Sequence, residues 1–238
     1  MKHSILHISD LHGVLKPLWK VIHSGKSFDF IILTGDIAPT HVKYMTQRGD
    51  GFRIIDTIAE AKHQTEWATN ALKPLLDQIP HKHLIAVNGN HDFLDFAPVF
   101  PEATTLFKGA KTVVIDGVKF GIATGIDPLR GEWHEEVPEY DFNERLLTLD
   151  PDIDVLITHA PPNQVLDLAY GGDRIGYNCL YKHIFGLSLG NVPPTFTHLT
   201  RHLFGHAHES AGLKEIEMDN GRTILFSNAA CGANAIEL

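Results

Sequence analysis

Apolar residues in this chain come in short runs that alternate with amphipathic stretches, and most runs stop at a polar residue or a glycine. Residues 4–8 and 28–33 have the length and continuity of buried strands, as do 84–87, 154–157 and 202–204. In 15–24, Leu15, Leu18, Trp19 and Ile22 share one face, which predicts a helix. The spacing predicts further helices over 54–76 and 142–149, the first bent or ended near Pro74. Two hairpins are predicted. Asp116-Gly117 separates 111–115 from 119–123, and Asp219-Asn220-Gly221 separates 213–218 from 223–227. Segments 38–52 and 161–200 read as long irregular loops, the kind that carry function in a compact domain. Strands alternating with helices imply a layered α/β architecture.

Length and composition narrow this picture. A chain of 238 residues with no linker rich in Gly, Ser or Pro reads as one domain over 1–238 with a core of its own. The net charge of −9 argues against a broad clamp on nucleic-acid backbone, which needs surplus cations. Two cysteines, Cys179 and Cys231, exclude a disulfide framework or a zinc site built from four thiolates, and are read as buried reduced thiols. No run approaches the roughly 20 apolar residues of a membrane span, and the N-terminal run is too short for a signal peptide. The expected setting is cytoplasmic, with no membrane partner. The unusual count is histidine, at 16.

The chemistry sits where the apolar runs end. The five predicted strands that begin at 4, 28, 84, 154 and 202 are followed in turn by Asp10-Leu11-His12, Gly35-Asp36, Gly89-Asn90-His91-Asp92, His159, and Gly205-His206-Ala207-His208. In α/β sheets the carboxyl edge gathers ligands because strand ends converge there. Asp10, Asp36 and Asn90 offer oxygen, and His12, His159, His206 and His208 offer imidazole nitrogen, with no thiolate. Such donors suit Mn, Fe, Zn or Ni, with Mn foremost. They are too many for one tetrahedral site and fit two divalent ions sharing a carboxylate. Two ions about 3.5–4 Å apart clamp the attacking and leaving oxygens of a displacement at phosphorus and generate hydroxide from a bridging water at neutral pH. His91 is placed to protonate the leaving alkoxide. Asp92 reads as a capping residue, and His81 and His83, at the other end of their strand, as surface residues.

The ordered set Asp10-x-His12, Gly35-Asp36, Gly89-Asn90-His91-Asp92, His159 and Gly205-His206-x-His208 resembles the calcineurin-like metallophosphoesterase family. The likeness spans nearly the whole chain, and its weight lies in the order and strand context of the blocks. It implies a four-layer α/β/β/α sandwich. One ion would be held by Asp10, His12, Asp36 and His208, the other by Asp36, Asn90, His159 and His206. Asp36 would bridge them and His91 would be the catalytic acid.

The implied function is hydrolysis of phosphodiesters, cyclic nucleotides or small phosphate esters among them. Phosphoprotein phosphatases of the family carry an Arg and an acid soon after the Gly-Asp block. This chain has Ile37-Ala38-Pro39-Thr40-His41 there, which disfavours that class and leaves the group orienting His91 unidentified. The pattern is closer to the family's compact bacterial-type phosphodiesterases. His41, Tyr44, Arg48, Arg130, Trp133, Tyr170, Arg174 and Tyr177 lie in loops that would read the substrate. His41, Arg130 and Arg174 are the foremost contacts for a small phosphoester. A metal-dependent DNA or RNA nuclease is the alternative, and a non-catalytic protein scaffold ranks last because no ligand is missing.

Overall fold

The computed structural model describes residues 3–41, 45–47, 53–129, 133–187 and 192–238. Strand β1 (Ser4–Ser9) leads through helix α1 (Lys16–Ser24) to β2 (Phe28–Thr34). The short strands β3 (Met45–Gln47) and β4 (Arg53–Ile55) pair with each other. Helix α2 (Thr57–Trp67), a π-helical turn over Ala68–Leu72 and α3 (Lys73–Leu76) then run without interruption. They are followed by β5 (His81–Val87), β6 (Thr104–Leu106), β7 (Ala110–Ile115), β8 (Val118–Ala123), α4 (Glu139–Leu147), β9 (Val155–Thr158) and α5 (Asn178–Phe185). The chain ends with β10 (Arg201–Phe204), β11 (Gly212–Glu217), β12 (Thr223–Asn228) and β13 (Gly232–Glu237).

These strands form two mixed sheets, in the order β13-β1-β2-β5-β6 and β11-β12-β10-β9-β8-β7. The period-two alternation of strands fixes the layers. Ile5, Phe30, Ile32, Ile85 and Val87 of the first sheet share a core with Phe120, Ile122, Val155, Ile157 and Leu203 of the second. The alternate residues Leu6, Ile8, Ile31, Leu33 and Ala86 pack with Leu18 of α1 and Leu72, Leu75 and Leu76 of the α2–α3 run. On the far side of the second sheet, Leu156, Phe204 and Phe226 pack with Phe142 and Leu146 of α4 and Leu180 and Ile184 of α5. The order is helix, sheet, sheet, helix, as expected.

Several local expectations need correction. Ile54 and Ile55 belong to β4, because Asp56 caps α2 by accepting from Ala59 N at 3.0 Å and so sets the helix start. Segment 38–52 contains β3, and segment 161–200 contains α5. Strands β6 and β13 were not expected. Cys179 is buried as read, but Cys231 is exposed because it turns the chain, at φ 59°, between β12 and β13; both thiols are free. Both hairpins form, with Asp116 and Gly117 at φ 50° and 82° as a two-residue turn requires. No described helix is long and apolar enough to cross a membrane.

Candidate metal centre

In the first sheet β1, β2 and β5 are parallel neighbours, and in the second β9 and β10 are. Their carboxyl ends therefore open on one rim, and the turns beyond them are tied together. Asp10 N donates to Gly35 O at 2.9 Å, His12 N to Asp36 O at 2.9 Å, and Gly205 N to His159 O at 3.0 Å. Close approach of these turns demands glycine. A Cβ on Gly89 would collide with Asp36 Oδ1, and one on Gly205 with the side chains of Asp10 and Ser9.

The donor atoms converge in three groups, each within 4.8 Å: Asp10, His12 and His208; His12, Asp36 and His91; and Asp36, His159 and His206. Asn90 joins the last, its Oδ1 lying 3.2 Å from His159 Nε2. The carboxylate of Asp36 faces both sides. Its Oδ2 lies 3.8 Å from His12 Nε2 and 3.4 Å from His159 Nε2, while Oδ1 accepts from His91 N at 2.7 Å. Carboxylate, amide and imidazole donors in this cradle fit divalent cations of the Mn-to-Zn series.

Neighbours orient the donors. Thr34 O accepts from His159 Nδ1 at 2.7 Å, which leaves Nε2 as the nitrogen that could hold a cation. Asp10 Oδ2 accepts from Ser9 Oγ at 2.5 Å and from His206 N at 3.0 Å. Asp92, read as a cap for the turn that follows it, instead accepts from Ile37 N, Ala38 N and Gly89 N at 3.3, 2.9 and 3.1 Å and so ties two of the preceding turns together.

The electrostatics of the rim follow from these contacts. Burial opposes ionisation of Asp36, but His159 and His91 hold its carboxyl well below the usual range. Burial likewise opposes charge on His159, yet Asp36 lifts it to about 9. Burial lowers His206 to about 4, with the His159 charge adding to the effect. Burial also raises Asp92 to about 7, helped by the charge on Asp36.

His91 Nδ1 lies 2.9 Å from Thr40 Oγ1, which supplies the partner that the sequence left unnamed. Gln64 holds the same loop. Its Nε2 donates to His91 O at 2.7 Å and to Pro39 O at 3.1 Å, and its Oε1 accepts from Phe93 N at 2.7 Å. Thr40 carries no sequence signal. Gln64 carries one: Glu60, Gln64, Ala68 and Leu72 recur every four residues, so two polar groups lie on a buried helix face.

The expected substrate contacts are not gathered in the same way. Arg174 Nη1 is paired with Asp167 Oδ1 at 2.5 Å. His41 donates its backbone N–H to Glu60 Oε1 at 2.9 Å and packs on His63, ring centroids 4.6 Å apart. Tyr44, Arg48 and Arg130 lie outside the described residues. His81 and His83 sit at the amino end of β5, where His83 pairs with Asp116 at 2.8 Å.

Residues 3–210 match the family described as Calcineurin-like phosphoesterase. The UPF0046 protein K07C11.7 of Caenorhabditis elegans is 29% identical over 174 residues, 66% of this chain and 54% of its own length. The UPF0046 protein C25E10.12 of the same organism is 25% identical over 244 residues, 94% of this chain and 74% of its own. The chain thus spans about half the length of the first relative and about three quarters of the second. One solved crystal structure superposes with a TM-score of 0.54 at 15% identity, covering 97% of this chain and 91% of the other, a likeness of fold. The family match runs through every turn that carries a donor group, on a scaffold that brings those turns to one rim, and on that ground the chain belongs to the calcineurin-like phosphoesterase family.

Proposed function

We propose that the protein is a dinuclear metal-dependent hydrolase of small phosphodiesters. The observation that supports this most is the placement of Asp36 Oδ2 between His12 Nε2 at 3.8 Å and His159 Nε2 at 3.4 Å. A carboxylate oxygen shared by two donor sets is what a pair of ions requires. Asp10, His12, Asp36 and His208 would hold one ion, and Asp36, Asn90, His159 and His206 the other. When bound, two divalent ions, Mn2+ foremost, supply positive charge to the phosphoryl oxygens and lower the pKa of water.

The chain's own residues supply the rest. With Nδ1 of His91 on Thr40, Nε2 is the nitrogen left to a substrate. As water adds to phosphorus and the bond to the ester oxygen breaks, that nitrogen gives its proton to the departing oxygen. Burial holds the His91 imidazolium below its usual range, so a proton placed there leaves readily. A diester carries one negative charge where a monoester carries up to two. Arg174, expected to contact the substrate phosphate, is paired with Asp167.

The test is hydrolysis of bis-p-nitrophenyl phosphate and p-nitrophenyl phosphate by Mn2+-loaded protein. Diester turnover should exceed monoester turnover, and Asn90→Ala should lose at least about 100-fold at saturating Mn2+. A wild-type rate in Asn90→Ala, or no turnover of either ester, contradicts the reading.

A further inference from the structure

The ring of His91 does not end the site. Trp133 packs on it, with centroids 4.1 Å apart and planes 38° from parallel. Trp133 also forms one wall of an open cleft of about 640 Å3, lined further by Phe93, Phe107, His134 and Ile58. That volume is within the roughly 300–1,000 Å3 of small-molecule sites.

The rings of Phe93, Phe107, Trp133 and His134 form part of the cleft wall. His134 stacks on Phe107 at 4.5 Å, with its Nε2 3.1 Å from Phe107 O, and meets the edge of Phe93 at 6.2 Å. His134 N donates to Asn90 O at 3.0 Å, so this wall is pinned to a donor of the metal centre. Two apolar wall residues face solvent: Phe107 is 36% exposed and Ile58 83%. At the mouth Glu135 is shared by Arg145, its tighter partner, and by Lys108, whose ammonium lies 3.5 Å away.

We propose that this cleft is the leaving-group subsite and accepts a planar aromatic ring carried by the departing alcohol. The assignment rests on the phosphodiesterase reading, since it is His91 as proton donor that fixes which half of the ester lies beside Trp133. Offset and tilted rings at 4–6 Å provide faces and edges for a further ring to stack on, where an alkyl group gains contact area alone.

The test compares methyl phenyl phosphate with methyl hexafluoroisopropyl phosphate, whose leaving alcohols are of similar acidity but differ in shape. Wild-type protein loaded with Mn2+ should prefer the phenyl ester in kcat/KM. Phe107→Ala and Trp133→Ala should each reduce that preference by about 5–10-fold, mostly through KM. Because the two leaving alcohols are matched in acidity, an effect on His91 falls on both esters and the ratio reads the cleft. No wild-type preference, or a preference kept within about 2-fold in both variants, overturns the proposal. Should neither ester turn over, the phosphodiesterase reading fails and the cleft is tested by calorimetry with benzylphosphonate and ethylphosphonate. Tighter binding of the benzyl compound that is lost in Phe107→Ala supports the cleft, and equal binding overturns it.

Discussion

Asp10, His12, Asp36 and His206 all hold left-handed backbone, at φ 53°, 44°, 53° and 68°. Each such residue costs roughly 1–3 kcal/mol, which persists only where surrounding contacts fix it. Here the turn-to-turn hydrogen bonds and the glycine contacts do so. The sequence made the donor types legible, and also the glycines beside them, but not the backbone that aims them. Nor did it reveal Thr40, whose role depends on the path of the chain after Asp36. Thr40→Val removes the partner of His91 Nδ1 and should lower kcat about 10-fold for an ester with an alkoxide leaving group. The same variant should change p-nitrophenyl ester turnover by no more than about 3-fold, because nitrophenolate departs without a proton. Equal losses with both esters would assign Thr40 a structural role only.

Elements were legible where a local signal agreed with the tertiary fold. Both hairpins announced themselves by turn chemistry, and β1, β2, β5, β9 and β10 by apolar runs between polar ends. Helix α5 was missed although Cys179, Leu180, His183 and Ile184 form its buried face, because eight residues between irregular segments give too little periodicity to read. Strand β13 is built from Gly, Ala and Asn ahead of Ile236 and owes its existence to pairing with β1. Helix α2 shows the converse, a legible element with an illegible purpose. Gln64→Leu would leave the carbonyls of Pro39 and His91 and the amides of Phe93 and Leu94 without their partner. The expected loss is about 2–3 kcal/mol in denaturant unfolding, with amide exchange at Phe93 and Leu94 accelerated more than in β2. Unchanged exchange at those two amides would contradict the role given to Gln64.

At the scale of the molecule, the seam between the sheets carries polar groups below the rim. His7 links Ser227 at 2.8 Å to Thr34 at 2.9 Å, and His202 Nε2 lies 2.9 Å from Thr158 Oγ1. Burial depresses both imidazoles from 6.5 to about 3. Their contribution to stability is therefore complete above pH 6.5. It falls as the pH drops toward 3, because the unfolded chain binds protons that the folded one refuses. His202→Leu removes one of these sites, so stability in that variant should decline less steeply between pH 6 and 4, by up to about 1.4 kcal/mol per pH unit. Thr158 keeps a partner in Ala160 O at 2.6 Å. Parallel curves for the two proteins would contradict the linkage. Periodicity alone reached a layered α/β fold. The two-sheet sandwich came from the order of the short blocks, because convergence of residues as distant as Asp10 and His208 leaves no local trace.

The central claim is a pair of ions on either side of one carboxylate oxygen. Anomalous diffraction from crystals grown with Mn2+ measures it directly. Two peaks about 3.5–4 Å apart flanking Asp36 Oδ2, one against Asp10, His12 and His208 and the other against Asn90, His159 and His206, are the predicted result. A single peak, or peaks away from Asp36, would contradict it.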